Sequence, residues 1–130
     1  MAYLIYSRAQ DGSRKPLHFI ASSRKDIQDL PDSVRGTFGT LLRDVQYGET
    51  PRAAVALSGF GGARVLELAE DYQTNTFRAV YTVQFAKAVY VLHVFQKKSK
   101  RGISTPRRDV ELIRRRYAAA SEHYHQHYTY

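Results

Sequence analysis

The residues Thr76-Phe-Arg-Ala-Val-Tyr-Thr-Val-Gln-Phe85 alternate between apolar and polar side chains, and the segment Ala88-Val-Tyr-Val-Leu-His-Val-Phe95 that follows is almost entirely apolar. Strict alternation indicates a β-strand with one covered face, whereas a continuous apolar run indicates a central strand. Only Ala86 and Lys87 separate the two segments. The sequence therefore predicts an antiparallel hairpin with these two residues at its tip.

This hairpin brings four chemically useful side chains to one face of the sheet. With a two-residue tip, Arg78 pairs with Phe95, and Val80 pairs with His93. Because side chains alternate across a strand, Lys97 continues the same face just beyond Phe95. We expect Arg78, His93, Phe95 and Lys97 to converge on the side of the sheet that no helix covers.

The opposite face of the hairpin is expected to lie under helices. On that face Tyr81 pairs with Leu92, and Val83 pairs with Tyr90. A slip of the register by one residue would exchange the two faces and place His93 in the core instead.

The chain before the hairpin favours a short strand, two helices and another strand. Leu17-His-Phe-Ile20 is a strand candidate, and a short helix from Arg24 ends before Pro31. Residues 51–62 are expected to be mostly loop, followed by a strand over residues 64–68. A second helix begins at Asp32 or Ser33, and its apolar stripe consists of Val34, Phe38, Leu41, Leu42 and Val45.

The chain after the hairpin favours a basic loop and one long helix. Thr105-Pro106 has the residue types of a helix N-cap and first position. Residues 1–15 are expected to extend a domain over residues 16–124, and residues 125–130 to form a frayed tail. The order predicts an α+β fold, with helices on one face of a small antiparallel sheet. The apolar side of the last helix consists of Val110, Ile113, Tyr117, Ala120 and Tyr124.

Composition and charge narrow the class of protein. The 130 residues suffice for one domain, and the lack of cysteine excludes disulfides, cysteine-ligated metals and a cysteine nucleophile. No apolar run is long enough for a membrane span, and the N-terminus does not resemble a signal peptide. We therefore expect a cytoplasmic protein. The net charge of +8 favours a polyanionic partner such as nucleic acid, although it could also serve solubility alone.

The four converging side chains suit the cleavage of RNA. Arg78 can bind a phosphate through two hydrogen bonds, and Phe95 can stack on a base. Lys97 and Lys98 can stabilise negative charge in the transition state, and His93 can transfer a proton. These groups would support attack of a ribose 2′-OH on its own adjacent phosphate, which requires neither a metal ion nor a cofactor.

Each of these residues also has a structural interpretation. His93 can be a packed residue of an apolar strand, and Arg78 can be a solvated position on a polar face. The basic run from Lys97 to Arg101 can attract phosphates without catalysing. Three histidines near the C-terminus could bind a metal, but a frayed tail is the expectation that we retain.

Several motifs, taken jointly, resemble the phage-derived HigB-like toxins of the RelE superfamily over about residues 15–124. The most specific is Phe95-Gln-Lys-Lys-Ser-Lys100, with Thr105-Pro106 after it. Two further motifs are Lys15-Pro-Leu-His-Phe-Ile20 and Gly59-Phe-Gly-Gly62. The resemblance implies a RelE-type small antiparallel sheet with two N-terminal helices and a C-terminal helix.

The resemblance also implies a function, namely the toxin of a type II toxin–antitoxin pair. Such toxins usually enter the ribosomal A site and cut mRNA, leaving a 2′,3′-cyclic phosphate. In the HigB group their antitoxin usually carries a helix-turn-helix DNA-binding domain. By motif position, Arg78 corresponds to the family's strand arginine, and Lys97 and Lys98 to its basic pair.

The chain departs from the family's pattern at three places. Leu68-Ala69 stands where HigB toxins often have Leu-Arg. Val65 and Glu67 stand where RelE toxins have lysines, and no tyrosine stands near the start of the last helix. We expect Arg64 to substitute for the missing strand lysines, and Lys100 and Arg101 to bind the RNA backbone. A non-catalytic RNA- or DNA-binding regulator from a mobile element is the alternative function.

Overall fold

The computed structural model describes residues 13–97 and 105–128. The described part of the chain folds into strands and helices in the order that the sequence favours, with one added strand. The elements are β1 Leu17–Phe19, α1 Ser23–Gln28, α2 Asp32–Gln46, β2 Val55–Ala56, β3 Val65–Tyr72, β4 Asn75–Thr82, β5 Val89–Lys97 and α3 Arg107–Tyr128.

The strands form one five-stranded sheet in the order β1-β5-β4-β3-β2. The β3, β4 and β5 strands are antiparallel neighbours, as expected, but β1 runs parallel to β5, so the sheet is mixed. The added strand, β2, lies in the stretch that was expected to be mostly loop. It pairs only Val55 with Glu67 and Ala56 with Leu66, which is too short to show a period of two in the sequence.

The register of the β4–β5 hairpin agrees with the prediction at its open end and differs near its tip. Arg78 lies opposite Phe95, and Val80 lies opposite His93, as predicted. Beyond Val80 the register shifts by one residue, so Tyr81 lies opposite Val91 instead of Leu92. The predicted pairing of Tyr90 with the residue at 83 is also wrong, because Thr82 takes that place.

The shift is a β-bulge with Leu92 as its extra residue. A bulge reverses the alternation of side chains along the strand that carries it. Leu92 therefore faces the same side as His93 and packs with Tyr90, whereas Val89 and Val91 face the other side. Neighbouring apolar residues cannot reveal such a reversal, because either side chain suits either face.

Helices cover both faces of the sheet, so the prediction that they pack on one face is wrong. On one face α1 and α2 bury their apolar stripe against Ala79 and Tyr81. On the other face Ile113 and Ala120 of α3 pack against Val80 and Leu92. The physical reason is the apolar character of both faces of β5, since each buried aliphatic side chain contributes about 1.5–3 kcal/mol.

The last helix continues to Tyr128, so the frayed tail expected from residue 125 is not observed over residues 125–128. His18 Nε2 lies 2.7 Å from Tyr128 Oη, and Tyr90 Oη lies 2.7 Å from His123 Nδ1. The rings of His123 and His127 stack at 4.1 Å between centroids. These contacts fasten the C-terminal turns to β1 and β5. Within residues 13–97 and 105–128, no group of three or more His, Asp or Glu side chains could hold a metal ion.

The histidine–tyrosine cluster of His18, Tyr90, His123, His127 and Tyr128 is expected to make the fold less stable in acid. Burial lowers the pKa of His18, as do the charges of His123 and His127, and burial together with His127 lowers the pKa of His123. The histidines of the unfolded chain titrate near ~6.5. Their contribution to the stability of the fold is therefore fully present above that pH, and it is lost as pH falls through their lower pKa values in the folded state. We expect the melting temperature to fall by several degrees between neutral and mildly acidic pH.

Two histidine variants check this prediction. The variant His18→Phe keeps the stacking surface and removes a partly buried titrating group, so its acid sensitivity should be smaller. His125 is exposed, and His125→Ala should leave the sensitivity unchanged. Equal acid sensitivity in the wild type and in His18→Phe would contradict the assignment of this sensitivity to the cluster around His18.

Candidate functional site

Polar side chains from β3, β4 and β5 meet on the face of the sheet that α3 partly covers. Arg78 Nη1 lies 2.5 Å from Glu67 Oε1, and both side chains are almost buried. Thr105 Oγ1 donates to the other carboxylate oxygen, Glu67 Oε2, at 2.8 Å. The sheet explains this meeting, because Glu67 lies opposite Val80, two positions from Arg78 on the same face.

Lys97 completes this cluster at the end of β5. Its side chain is buried, with only 4% of the residue exposed. Burial lowers the pKa of Lys97, the charge of Arg78 lowers it further, and Glu67 partly opposes both. The charges of Arg78 and Glu67 thus both act on the ammonium of Lys97. Two cations this close together attract an anion such as a phosphate.

His93 is held on both sides of its ring. Its Nε2 lies 2.8 Å from Asp109 Oδ1, and its Nδ1 lies 3.5 Å from Arg116 Nη1. Burial lowers the pKa of His93, although Asp109 opposes the shift. These contacts favour the neutral imidazole that donates from Nε2 to the carboxylate. The His93 ring also stacks on Phe95 at 4.5 Å, with 13° between the planes.

The guanidinium of Arg116 joins α3 to the bulge of β5. It donates to the carbonyl of Leu92 at 3.0 Å and to Ser22 Oγ at 3.2 Å. Ser22 Oγ in turn donates to Asp26 Oδ2 at 2.8 Å. Because a bulge residue has no partner on the adjacent strand, its carbonyl needs such a donor.

The structure brings together four of the predicted site residues and separates a fifth. Arg78, Phe95, Lys97 and His93 share one face, as expected, but that face is not open, because α3 covers part of it. Arg64 lies on the opposite face. There it lines a cavity of about 60 Å³ together with Tyr81, whose pKa burial raises to about 12. The remaining three predicted residues, Lys98, Lys100 and Arg101, lie outside the described residues.

Sequence reasoning missed the acidic and basic partners of these residues. Glu67 carried a signal, since it is the one charged residue within the apolar residues 65–69, on the face of Arg78, and a buried charge needs a partner. Asp109 and Arg116 flank Ile113 at helical spacing, so they border the apolar stripe of α3. Thr105 was expected to be the N-cap of α3, but the helix begins at Arg107, and the Thr105 hydroxyl instead donates to Glu67.

Architecture and sequence together assign the protein to a class and then to a family. One mixed sheet between helices makes it an α+β domain. A model of the family described as phage-derived, Gp49-like proteins (DUF891) matches residues 25–118. The chain belongs to this family, which confirms the phage-derived membership that its motifs indicated.

Solved structures show what the fold is similar to. A mutant of the E. coli toxin RelE in the free state superposes with a TM-score of 0.49 and 23% identity, covering 63% of this chain and 82% of that chain. The toxin–antitoxin complex RelBE2 from Mycobacterium tuberculosis gives a TM-score of 0.47 and 14% identity, covering 71% and 99%. No curated protein sequence matches the chain. Among the described residues, no helix is long and apolar enough to cross a membrane.

Proposed function

We propose that the protein is the toxin of a type II toxin–antitoxin pair and that it cleaves mRNA on the ribosome. The observation that carries this proposal is the proximity of two cations, Arg78 and the buried Lys97, on one face of the sheet beside Glu67. A phosphodiester is the anion that such a fork and ammonium would hold. The family of the chain and its net charge of +8 support the proposal.

The proposed reaction is an internal transfer at phosphorus. The 2′ oxygen of a ribose bonds to the adjacent phosphorus, and the bond from phosphorus to the 5′ oxygen of the next nucleotide breaks. The 2′-OH loses its proton and the departing 5′ oxygen gains one, which leaves a 2′,3′-cyclic phosphate and a 5′-OH. Arg78 and Lys97, with Lys98 next to Lys97 in sequence, stabilise the extra negative charge on the phosphate oxygens.

The partners of this toxin follow from the same proposal. Its substrate is mRNA in the cytoplasm, and a cognate antitoxin, in this group usually a helix-turn-helix protein, neutralises it. Growth should stop when the chain is expressed alone and resume when the neighbouring antitoxin gene is expressed with it.

Mapping the 5′ ends of mRNA after induction tests the proposed activity. We expect new 5′-OH ends inside translated codons, and these ends should vanish when translation initiation is blocked. Arg43 is exposed on α2, far from the site. Arg43→Ala, which removes one positive charge there, is the control and should produce the same new 5′ ends as the wild type. An intact mRNA population in arrested cells would refute the nuclease.

A second function, non-catalytic binding of RNA or DNA by a regulator, has one observation in its favour. Both ring nitrogens of His93 and both oxygens of Glu67 have protein partners, as in a purely structural network. A regulator would bind nucleic acid and leave transcripts uncut, so the same mapping experiment separates the two functions.

The proposed contacts with RNA predict a steep dependence of affinity on salt. Each phosphate contact with single-stranded RNA contributes about −0.7 to the slope of log affinity against log salt. Neutralising Lys100 and Arg101 should therefore flatten the slope by about 1.4 if both bind phosphates. The double variant Arg43→Gln, Arg52→Gln removes two exposed charges elsewhere and should keep the slope. An affinity that does not change with salt would contradict these contacts.

A further inference from the structure

The stacked pair of His93 and Phe95 is fixed more firmly than packing alone requires. Phe95 remains partly exposed, and the His93 ring lies nearly parallel beneath it, at 13° and 4.5 Å between centroids. A hydrogen-bond partner at each ring nitrogen selects one of the two flipped orientations of a packed imidazole ring. Here Asp109 holds one nitrogen and Arg116 approaches the other.

We propose that Asp109 and Arg116 are positioning residues: they lock the His93 ring as a floor under Phe95, so that Phe95 presents a fixed platform for one base of a single-stranded RNA. This inference rests on the proposed function for its ligand class. It goes beyond it in assigning a base-binding place and the residues that hold it.

The anchoring of Arg116 explains why this lock is rigid. Its guanidinium is itself fixed by the carbonyl of Leu92 and by Ser22, which belong to β5 and to the segment before α1. The bulge supplies the Leu92 carbonyl next to His93 in the chain. Three separate parts of the fold therefore determine the plane of one imidazole ring.

The platform lies beside the proposed phosphate site. Phe95 is directly opposite Arg78 on the neighbouring strand, and Lys97 follows two residues later on the same face. A base on Phe95 would thus place its own phosphates near the two cations. Stacking on an aromatic side chain is worth about 1–3 kcal/mol per base and tolerates any base. We therefore expect the platform to fix the position of one nucleotide in the site without selecting the identity of its base.

A fluorescent base measures this stacking directly. The probe is a short single-stranded RNA that carries one 2-aminopurine and 2′-O-methyl groups, which prevent cleavage. Stacking quenches 2-aminopurine, so the wild-type chain should quench it at saturation, and Phe95→Ala should not. Asp109→Ala should bind several-fold more weakly and, at saturating protein, should recover only part of the quenching. Asp109→Asn, whose amide oxygen can still accept from His93, should behave like the wild type.

A matched control separates positioning from general destabilisation. Glu111 is an exposed carboxylate on the same helix, paired only with the neighbouring Arg107 among the described residues, and Glu111→Ala changes the net charge equally. It should quench fully. If a folded Asp109→Ala variant also quenches fully, the lock is wrong. If the Asp109→Ala variant does not fold, NMR on the wild type replaces it. Contacts between the protons of the base and the Phe95 ring would support the platform, and contacts of the base with other residues instead would contradict it.

Failure of this inference is distinguishable from failure of the proposed function. Cleavage of mRNA in cells without quenching of the probe would leave the nuclease in place and remove the platform. Quenching of the probe without any cleavage would keep the platform and refute the nuclease.

Discussion

Replacing Arg78 with alanine is expected to abolish mRNA cleavage and to destabilise the fold at the same time. The loss of one preorganised donor to a transition state lowers a rate by about 10²–10³-fold. The loss of its charge also removes the ion-pair partner of the buried Glu67 carboxylate, to which Thr105 donates one hydrogen bond. Breaking a buried pair in this way costs about 3–5 kcal/mol. Activity loss in this variant alone would therefore not identify Arg78 as a catalytic residue.

A second substitution separates the two effects. In Arg78→Ala, Glu67→Gln the carboxylate is replaced by a neutral amide, whose desolvation costs much less than that of an unpaired charge. We expect the melting temperature of the double variant to recover most of the loss, while cleavage of ribosome-bound mRNA stays at background. Arg78→Lys should also be poor, because an ammonium cannot reproduce a planar fork of two donors.

The control for this pair is Glu67→Gln alone. It keeps Arg78 in the site but removes the ion pair that orients the guanidinium. We expect it to keep more activity than either variant that lacks Arg78. Full cleavage by the stable double variant would show that Arg78 serves only the fold.

The elements of this fold could be predicted largely from periodicity, whereas their arrangement could not. The alternation in β4 and the apolar stripe of α2 predicted both elements within a few residues of their observed bounds. The face that α3 covers depended on the bulge at Leu92, and a bulge leaves no mark in an apolar run. The two-residue strand β2 is too short for any period to be visible.

The candidate site was predictable in its position and not in its environment. Parity along the two strands placed Arg78, Phe95 and Lys97 together, and they lie together in the fold. Their partners Glu67 and Asp109 come from other elements, so their contacts depend on tertiary packing. Burial of Lys97 likewise follows from the surrounding fold and not from its own neighbours in the chain.

The second large effect is expected at Lys97, where stability and activity should change in opposite directions. Methionine has a similar length and no charge, so Lys97→Met preserves packing in the buried position. Because burial and Arg78 already disfavour the ammonium, its removal should leave the melting temperature unchanged or raised. The same substitution should lower the single-turnover rate on ribosome-bound mRNA by about 10²–10³-fold, since it removes one cation from the transition state.

The pH dependence of that rate distinguishes charge stabilisation from proton transfer. The pKa of Lys97 is lowered from its ordinary value, so its ammonium is lost at a lower pH than in an exposed lysine. If the ammonium stabilises the phosphate, the rate falls as pH rises through that lowered pKa. If the neutral amine removes the 2′-OH proton, the rate instead rises through the same value. We expect the fall, because the role proposed for Arg78 and Lys97 is to hold the negative charge of a phosphate.

His93 provides the competing assignment, and its surroundings argue against it. A general base needs a lone pair directed at the substrate, whereas Nε2 of His93 faces Asp109 and Nδ1 faces Arg116. The variant His93→Gln should therefore retain most of the single-turnover rate at saturating substrate, with a weaker apparent affinity from the disturbed Phe95 platform. Loss of the rate at saturation in a folded His93→Gln variant would make the histidine the base. Full activity of Lys97→Ala, Lys98→Ala would remove the electrostatic role of the lysines. Because the two outcomes concern different variants, one set of single-turnover measurements tests separately whether His93 transfers the proton and whether the lysines stabilise the charge.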